Sequence, residues 1–543
     1  MNLNGSFRVL ERHPALLLWL LTLVLWLPWL GSQPLRDWDE GLVASVAHST
    51  MGQEGWARLL PIRWDGIYLN KPPGLHWLIG TLSHGLGRSD WSLRLIPCLT
   101  SSLAVPLVVL LREELAKPTT TTKSHDNGRS AWLSGLILMT LLPMARHGRL
   151  AMLDGTLVSC SLLLWWGWLR SRKVAAAGLL AGLGGSGILL LKPPALMGFV
   201  LIALLIGLAE HWVGALPAGR TRLYKRASWW GLGLLPGLSW HAWHISQRGA
   251  EGLHMWGGQG LARVTSVVGE NSGAWVMPLT EVLEGGWPWL LLFPAGVSWA
   301  WRHRHTRTGC WELGLLLGAA ALVLPLQTQL PWYSHLLWAP LSLLCAEGLN
   351  AMVNQGQHNW VAWSWAGLGG VLLIGGGVLT VTGVDIGIPS ATPLLAGTGL
   401  LAGGLALSRQ RTGQRRQGLN LLIAGWSLAL LMFWQSGSWL WELNETWDPR
   451  PIASQVRALP ADALIVRDGP EHPALDWYSE QPIGRHQPSK LQGKSYWLIS
   501  STPPSRCTTP AEQQPPSPGE WSLWFCPDPG AASSVAPMPK QTP

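Results

Sequence analysis

The chain has 543 residues, of which 48% are hydrophobic and only 13% charged, against roughly a quarter charged in an ordinary soluble domain. Its 39 Lys and Arg outnumber 30 Asp and Glu to give a net charge of +9, a balance that on a soluble chain points to nucleic acid or an anionic surface. Charge this sparse argues against nucleic acid. It also excludes a row of soluble domains, because apolar runs of membrane-spanning length recur as far as residue 440. A polytopic, all-α membrane protein is what remains.

The first apolar run, Leu16 to Leu30 after Arg8 and Arg12, resembles a signal peptide, but no small-residue cleavage site follows it. It reads as a retained first helix. Further runs lie at 92–111, 131–144, 154–169, 174–191, 194–211, 229–244, 287–301, 311–326, 332–350, 360–381, 392–408 and 418–436, thirteen in all. Basic residues then orient the chain, since cytoplasmic loops retain Lys and Arg. The clusters Arg112/Lys117/Lys123/Arg129, Arg170/Arg172/Lys173, Arg220/Arg222/Lys225/Arg226, Arg302/Arg304/Arg307 and Arg409/Arg411/Arg415/Arg416 all fall on the side of the N-terminus if there are thirteen spans. Gly74 to Leu86 must then stay at the outer surface as a surface or re-entrant helix, because counting it as a span inverts every later loop.

The outer side therefore receives the first loop (32–91), the segment 145–154, the turn at Lys192, the loop 245–286, the turn Gln327 to Tyr333 and the C-terminus. Beyond Trp441 the composition becomes mixed, and the strand-like runs Ala463 to Val466 and Tyr496 to Ile499 predict a small α/β domain over 441–500. From Ser501 onward the PPS, QQPPSP and PDPG motifs predict a largely disordered tail over 501–543. The six cysteines show no CxxC or metal-ligand spacing. Cys98, Cys160, Cys310 and Cys345 sit in or beside apolar runs as small hydrophobes; Cys507 and Cys526 share the tail and can pair in an oxidising compartment. No internal repeat has a fixed period.

The residues that carry chemistry stand on the outer side. Arg36-Asp37-Trp38-Asp39-Glu40 puts three carboxylates in four residues just past the first helix, a set that can hold a metal ion, supply a general base, or simply cap the helix that starts there. Tyr68-Leu69-Asn70-Lys71-Pro72-Pro73 fixes a lysine before two prolines, as a phosphate-binding point charge or as a snorkelling lysine. Asp154 follows Arg146-His147-Gly148-Arg149 and opens an apolar run, as a functional acid or as an N-cap. Lys192-Pro193-Pro194 and the segment Gln327 to His335 join further spans, and Tyr333 there can be an interfacial anchor. His303 and His305 sit in a solvated basic run.

Taken in this order, these pieces resemble the membrane glycosyltransferases of the C-type fold that use lipid-phosphate sugars. The likeness is strongest to the bacterial aminoarabinose transferase family, with the protein O-mannosyltransferases as more distant relatives. It rests on Asp39-Glu40, on Tyr68 with Lys71-Pro72-Pro73, on Met152-Leu153-Asp154, on Lys192, on Gly286-Trp287-Pro288-Trp289 and on Leu330-Pro331-Trp332-Tyr333. It covers residues 10–350 well and the rest by layout.

The resemblance implies a transmembrane glycosyltransferase domain over 1–440, with 32–91 as its catalytic loop, in a bacterial plasma membrane with the site facing the periplasm. It implies transfer of a sugar from a polyprenyl-phosphate donor, with inversion, to a lipid, glycan or protein acceptor of the envelope. By similarity Asp39 is the base and Asp154 a second acid. Glu40, Tyr68, Lys71, Lys192 and Tyr333 bind substrate, the lysines on the carrier phosphate. No cofactor is fixed beyond a possible divalent metal ion, and membrane lipids are the other partner. Two positions depart from the family pattern: Asn70 stands where an acid commonly precedes the KP pair, and Gln329 where a lysine commonly precedes the LPxY turn. The competing class is a transporter or flippase of lipid-linked sugars, which would place charges in mid-span between repeats; Glu312 is the nearest such charge.

Overall fold

The computed structural model describes residues 13–116, 127–214, 222–267, 276–443, 448–487, 491, 493–502, 504, 507–508 and 521–528. Arg8, Arg12, Lys117, Lys123, Arg220 and the end of the tail lie outside them. The chain divides into two units, one of residues 1–32 and 68–442, the other of residues 33–67 and 443–543.

The larger unit is helical because an apolar backbone away from water satisfies its N–H and C=O groups locally. Each of the thirteen apolar runs falls on a helix, from Pro14–Trp26 to Thr412–Phe433. Among the described residues five helical stretches are long and apolar enough to cross a membrane: Asp90–Ala116, Pro193–Trp212, Pro331–Gln355, Asn359–Thr382 and Thr412–Phe433. Leu142–Gly148 with Leu153–Ser171 makes a sixth if that pair, bent by 111°, is one span. The other runs carry shorter helices or, over Leu223–Arg248, a long but less apolar one, so the thirteen-span count stays an expectation. Gly74–Leu86 is a helix of 13 residues, about 20 Å long and short of the roughly 30 Å hydrocarbon core.

The basic clusters do more than orient the chain. Arg112 lies buried between Glu312, at 2.9 Å, and Glu347, to which its Nε donates at 3.1 Å. Arg172 Nη1 donates to Glu210 at 2.6 Å, and Arg170 Nη1 to Glu114 at 3.0 Å. The buried Arg112 and Arg172 pair because leaving them bare away from water costs several kcal/mol. Glu312 is thus an ion-pair partner that ties helices together. His303 and His305 are exposed, in line with a solvated run.

The smaller unit joins two pieces of chain far apart in sequence, the first carrying a short antiparallel pair, β1 (Ile62–Arg63) and β2 (Gly66–Ile67). A four-stranded sheet has the order β4-β3-β5-β6, from β3 (Ile465–Arg467), β4 (Gly484–Arg485), β5 (Tyr496–Ser500) and β6 (Ser522–Cys526). β3 runs parallel to β4 and β5, and β6 closes the sheet antiparallel to β5. Alternation along β5 sends Ile499 into a core with Ile452, Val456, Leu475 and Leu523, and Leu498 to the other face with Val466 and Trp524. β6 corrects the sequence reading, which gave this stretch to a disordered tail. Its Ser-Leu-Trp-Phe-Cys alternation was masked by the surrounding prolines, and the Cys507–Cys526 disulfide ties it down. The first loop also divides otherwise than expected, since residues 33–67 pack with the C-terminal domain.

Candidate active site

In the larger unit the outer-side motifs gather around one helix. Asp154 sits in the first turn of Leu153–Ser171, whose N-cap is Met152 without a side-chain cap bond. The capping role is therefore not what Asp154 does: its Oδ1 accepts from Lys192 Nζ at 2.7 Å. The Lys192 ammonium is 5.7 Å from the centre of the Tyr333 ring, near enough for a cation–π contact. From the other side Arg263 donates to the Tyr333 hydroxyl, with its guanidinium carbon 5.5 Å from the same ring centre.

Arg263 belongs to the helix Glu251–Thr265. One turn earlier on that helix, Gln259 accepts from Lys71 Nζ through Oε1 and donates through Nε2 to Asn70 Oδ1, both at 2.8 Å. Residues four apart share a helix face, so Gln259 and Arg263 put the KPP loop and the LPWY turn side by side. Two backbone contacts fix the loops. Gly74 N–H donates to Leu190 O at 2.9 Å, an approach only glycine allows, since a Cβ there would lie 2.7 Å from Leu190 Cβ. Trp256 Nε1 donates to Leu69 O at 2.8 Å. Lys71, Lys192, Arg263, Tyr333 and Asp154 thus form one ionic patch. Tyr68 is buried with its ring edge-on to His76 at 5.7 Å.

Asp39 and Glu40 belong to the smaller unit. The helix Asp39–Gly52 has Trp38 as N-cap and no side-chain cap; Asp39 Oδ2 instead faces Arg36 Nη1 at 3.3 Å. Its side chain keeps 27% of its exposure, enough to meet a ligand. Glu40, its neighbour and the other acid expected at the substrate, sits differently. It is fully buried, and its Oε2 accepts the Arg36 N–H at 2.9 Å. Successive helix residues point about 100° apart, so Asp39 faces outward while Glu40 orders the turn.

Residues 64–241, about a third of the chain, match the family described as dolichyl-phosphate-mannose-protein mannosyltransferase. Two structures of ArnT from Cupriavidus metallidurans share the fold. One, bound to undecaprenyl phosphate, aligns with a TM-score of 0.69 and the other, in the apo state, with 0.70; each is 17% identical over 94% of this chain and 97% of that one. The chain thus shares the fold of these ArnT structures. Its apolar helices make it a multi-pass membrane protein. An oligosaccharyltransferase from Archaeoglobus fulgidus aligns more weakly, with a TM-score of 0.48 and 12% identity over 88% of this chain and 65% of that one. No curated protein matches the chain in sequence.

Sequence reasoning missed Gln259 and Arg263. Their helix carries four glycines in EGLHMWGGQGLARVT and reads as loop. A signal was present nonetheless, because Arg248 and Arg263 break the positive-inside pattern in a loop assigned to the outer face. The lysine absent at position 329 is answered by the same residue. Gln329 is buried and donates to Val323 O and Leu326 O at 3.1 and 2.7 Å, while the cation at the turn comes from Arg263. Among the described residues no group of three or more His, Cys, Asp and Glu side chains is arranged to hold a metal ion.

Proposed function

We propose that the protein is a membrane glycosyltransferase of the C-type fold that moves a sugar from a polyprenyl-phosphate donor to the hydroxyl or phosphate of a lipid, glycan or protein acceptor on the periplasmic face of the plasma membrane. The observation that carries this reading is the ionic patch. Lys71, Lys192 and Arg263 oppose Asp154, which leaves two positive charges, a match for the phosphate monoester released in the reaction. The ArnT structure of the same fold is bound to undecaprenyl phosphate, a ligand of that chemistry.

In the reaction an acceptor oxygen attacks the anomeric carbon as the bond from that carbon to the carrier phosphate oxygen breaks, with inversion. The acceptor proton passes to the Asp39 carboxylate, and the electron pair of the broken bond stays on the phosphate. Negative charge grows there as the bond lengthens, so fixed cations stabilise the transition state more than the ground state. Asp154 holds Lys192 in place, and Tyr333 spaces Lys192 from Arg263.

The test is transfer of a labelled sugar from its polyprenyl-phosphate carrier in detergent. Asp39→Asn should abolish transfer while the protein still binds polyprenyl phosphate. Lys71→Met should weaken that binding by about tenfold or more, the scale of one lost charge-assisted contact. Retained transfer by Asp39→Asn removes it as the base, and unchanged lipid binding by Lys71→Met removes the phosphate assignment.

A further inference from the structure

The C-terminal segment 471–478 is bonded closely to the stretch of chain that carries Asp39. Leu35 N–H donates to the Tyr478 hydroxyl at 2.8 Å. Ala474 N–H lies 3.1 Å from both the main-chain oxygen and the Oδ1 of Asp37. His472 Nδ1 meets the other Asp37 oxygen, and the His472 ring stands edge-on to Trp521 at 4.9 Å. Arg63 reaches Asp476 at 3.1 Å and also pairs with Glu471. The helix Pro473–Ser479 then lies against Asp39–Gly52, where Gly41 has no room for a side chain: a Cβ would fall 2.2 Å from Ala474 N and 2.6 Å from Pro473 C.

These contacts have a common target. Asp37 is bonded on both carboxylate oxygens and on its carbonyl, and Gly41 abuts backbone. The residues between are Trp38, Asp39 and Glu40. A seven-residue helix terminal alone would hold its neighbours loosely, but anchors at 37 and 41 leave the first turn of the helix Asp39–Gly52 little freedom. Glu40 and Arg36 close the turn from within. Holding a base within a few tenths of an ångström of its productive place is worth orders of magnitude in rate.

We infer that the segment 471–478 is a brace for the catalytic loop, and that Asp37, Gly41 and His472 are positioning residues for Asp39. The inference rests on the reading of Asp39 as base. The C-terminal domain therefore contributes to turnover by fixing a carboxylate more than 430 residues away in sequence, without itself touching substrate.

The test uses the full chain with donor and acceptor present. His472→Leu removes the Asp37 partner and should lower kcat about tenfold with KM for the donor and binding of polyprenyl phosphate unchanged, since the cations belong to other residues. His472→Gln, whose amide still donates to Asp37, should recover most of that loss. Gly41→Ala should lower kcat more, at unchanged lipid binding. A merely structural role would lower yield and melting temperature without splitting kcat from KM, and the amide would not rescue it. If Gly41→Ala fails to fold, the His472 pair decides alone. Full kcat in His472→Leu, with Asp39→Asn inactive, overturns the brace; transfer retained by Asp39→Asn overturns the underlying reading instead.

Discussion

The two ends of the helix Leu153–Ser171 carry ionic clusters built from the same few residue types. At its start Asp154 meets Lys192; at its end Arg170 meets Glu114, close in chain to the buried group of Arg112, Glu312 and Glu347. Sixteen residues separate them, roughly 24 Å at 1.5 Å per residue. Arg170 itself keeps 40% of its side-chain exposure; it is the buried group beside it that exposure sets apart from the Asp154 pair. Lys192 retains 22% of its side-chain exposure and Asp154 9%, whereas Arg112 has 2%, Glu312 none and Glu347 4%. A pair that still meets solvent can exchange its partner for a ligand. A pair sealed between helices can only hold them.

The contrast is broken most directly at Arg112. Arg112→Met leaves two carboxylates buried without their cation, and should cost about 3–5 kcal/mol, read as a large fall in melting temperature in detergent. Replacing all three with Met or Leu of similar volume should recover much of it. Full stability in Arg112→Met would mean that the sealed cluster holds nothing.

The smaller unit repeats the sealed case in a setting open to pH. Burial pushes the Asp476 carboxyl up to about 7, against the Ile483 N–H and the Arg63 guanidinium that pull it down. The folded state therefore binds this proton more tightly than the unfolded chain does. The resulting stability is complete below about pH 4, declines as the pH rises, and is gone above about pH 7, up to about 4 kcal/mol at 1.36 kcal/mol per unit. Melting of the C-terminal core followed from pH 4 to 8 should show the decline, and Asp476→Asn should flatten it.

At the open end the expected effect moves from stability to rate. Lys192→Met should leave the melting temperature within a degree or two, because a partly exposed pair is worth about 0–1 kcal/mol. Transfer should fall about a hundredfold, the scale of one lost electrostatic contact to a developing charge. Equal losses in stability at Lys192 and Arg112 would erase the distinction between the clusters.

How much of this was legible in the sequence follows from the range of each interaction. Helices over all thirteen apolar runs were readable because hydrophobic length is a property of a single window, and so were β3 and β5. The lysines and Asp154 stood out because charge is rare here. What escaped needed distant partners. Glu40 shares its motif with Asp39, and only the helix start decides which of the two faces outward. Gly41 looks like any glycine until Ala474 is placed against it, and β6 hides among prolines until Cys507 and β5 hold it.

Gln259 is the smallest test and the most specific to this chain. Where an acid commonly precedes the KP pair, Asn70 offers only an amide, and Gln259 bridges it to the ammonium of Lys71. Two amides orient a lysine without neutralising it, which leaves the full charge for a phosphate. Gln259→Leu should let Lys71 swing and raise KM for the donor about threefold to tenfold, with kcat little changed, since a neutral hydrogen bond contributes about 0.5–1.5 kcal/mol. Gln259→Glu should do more harm, because its carboxylate competes with the donor for the same ammonium. If Gln259→Glu binds polyprenyl phosphate as well as the parent does, then Lys71 is not held for that phosphate, and the open cluster loses its first member.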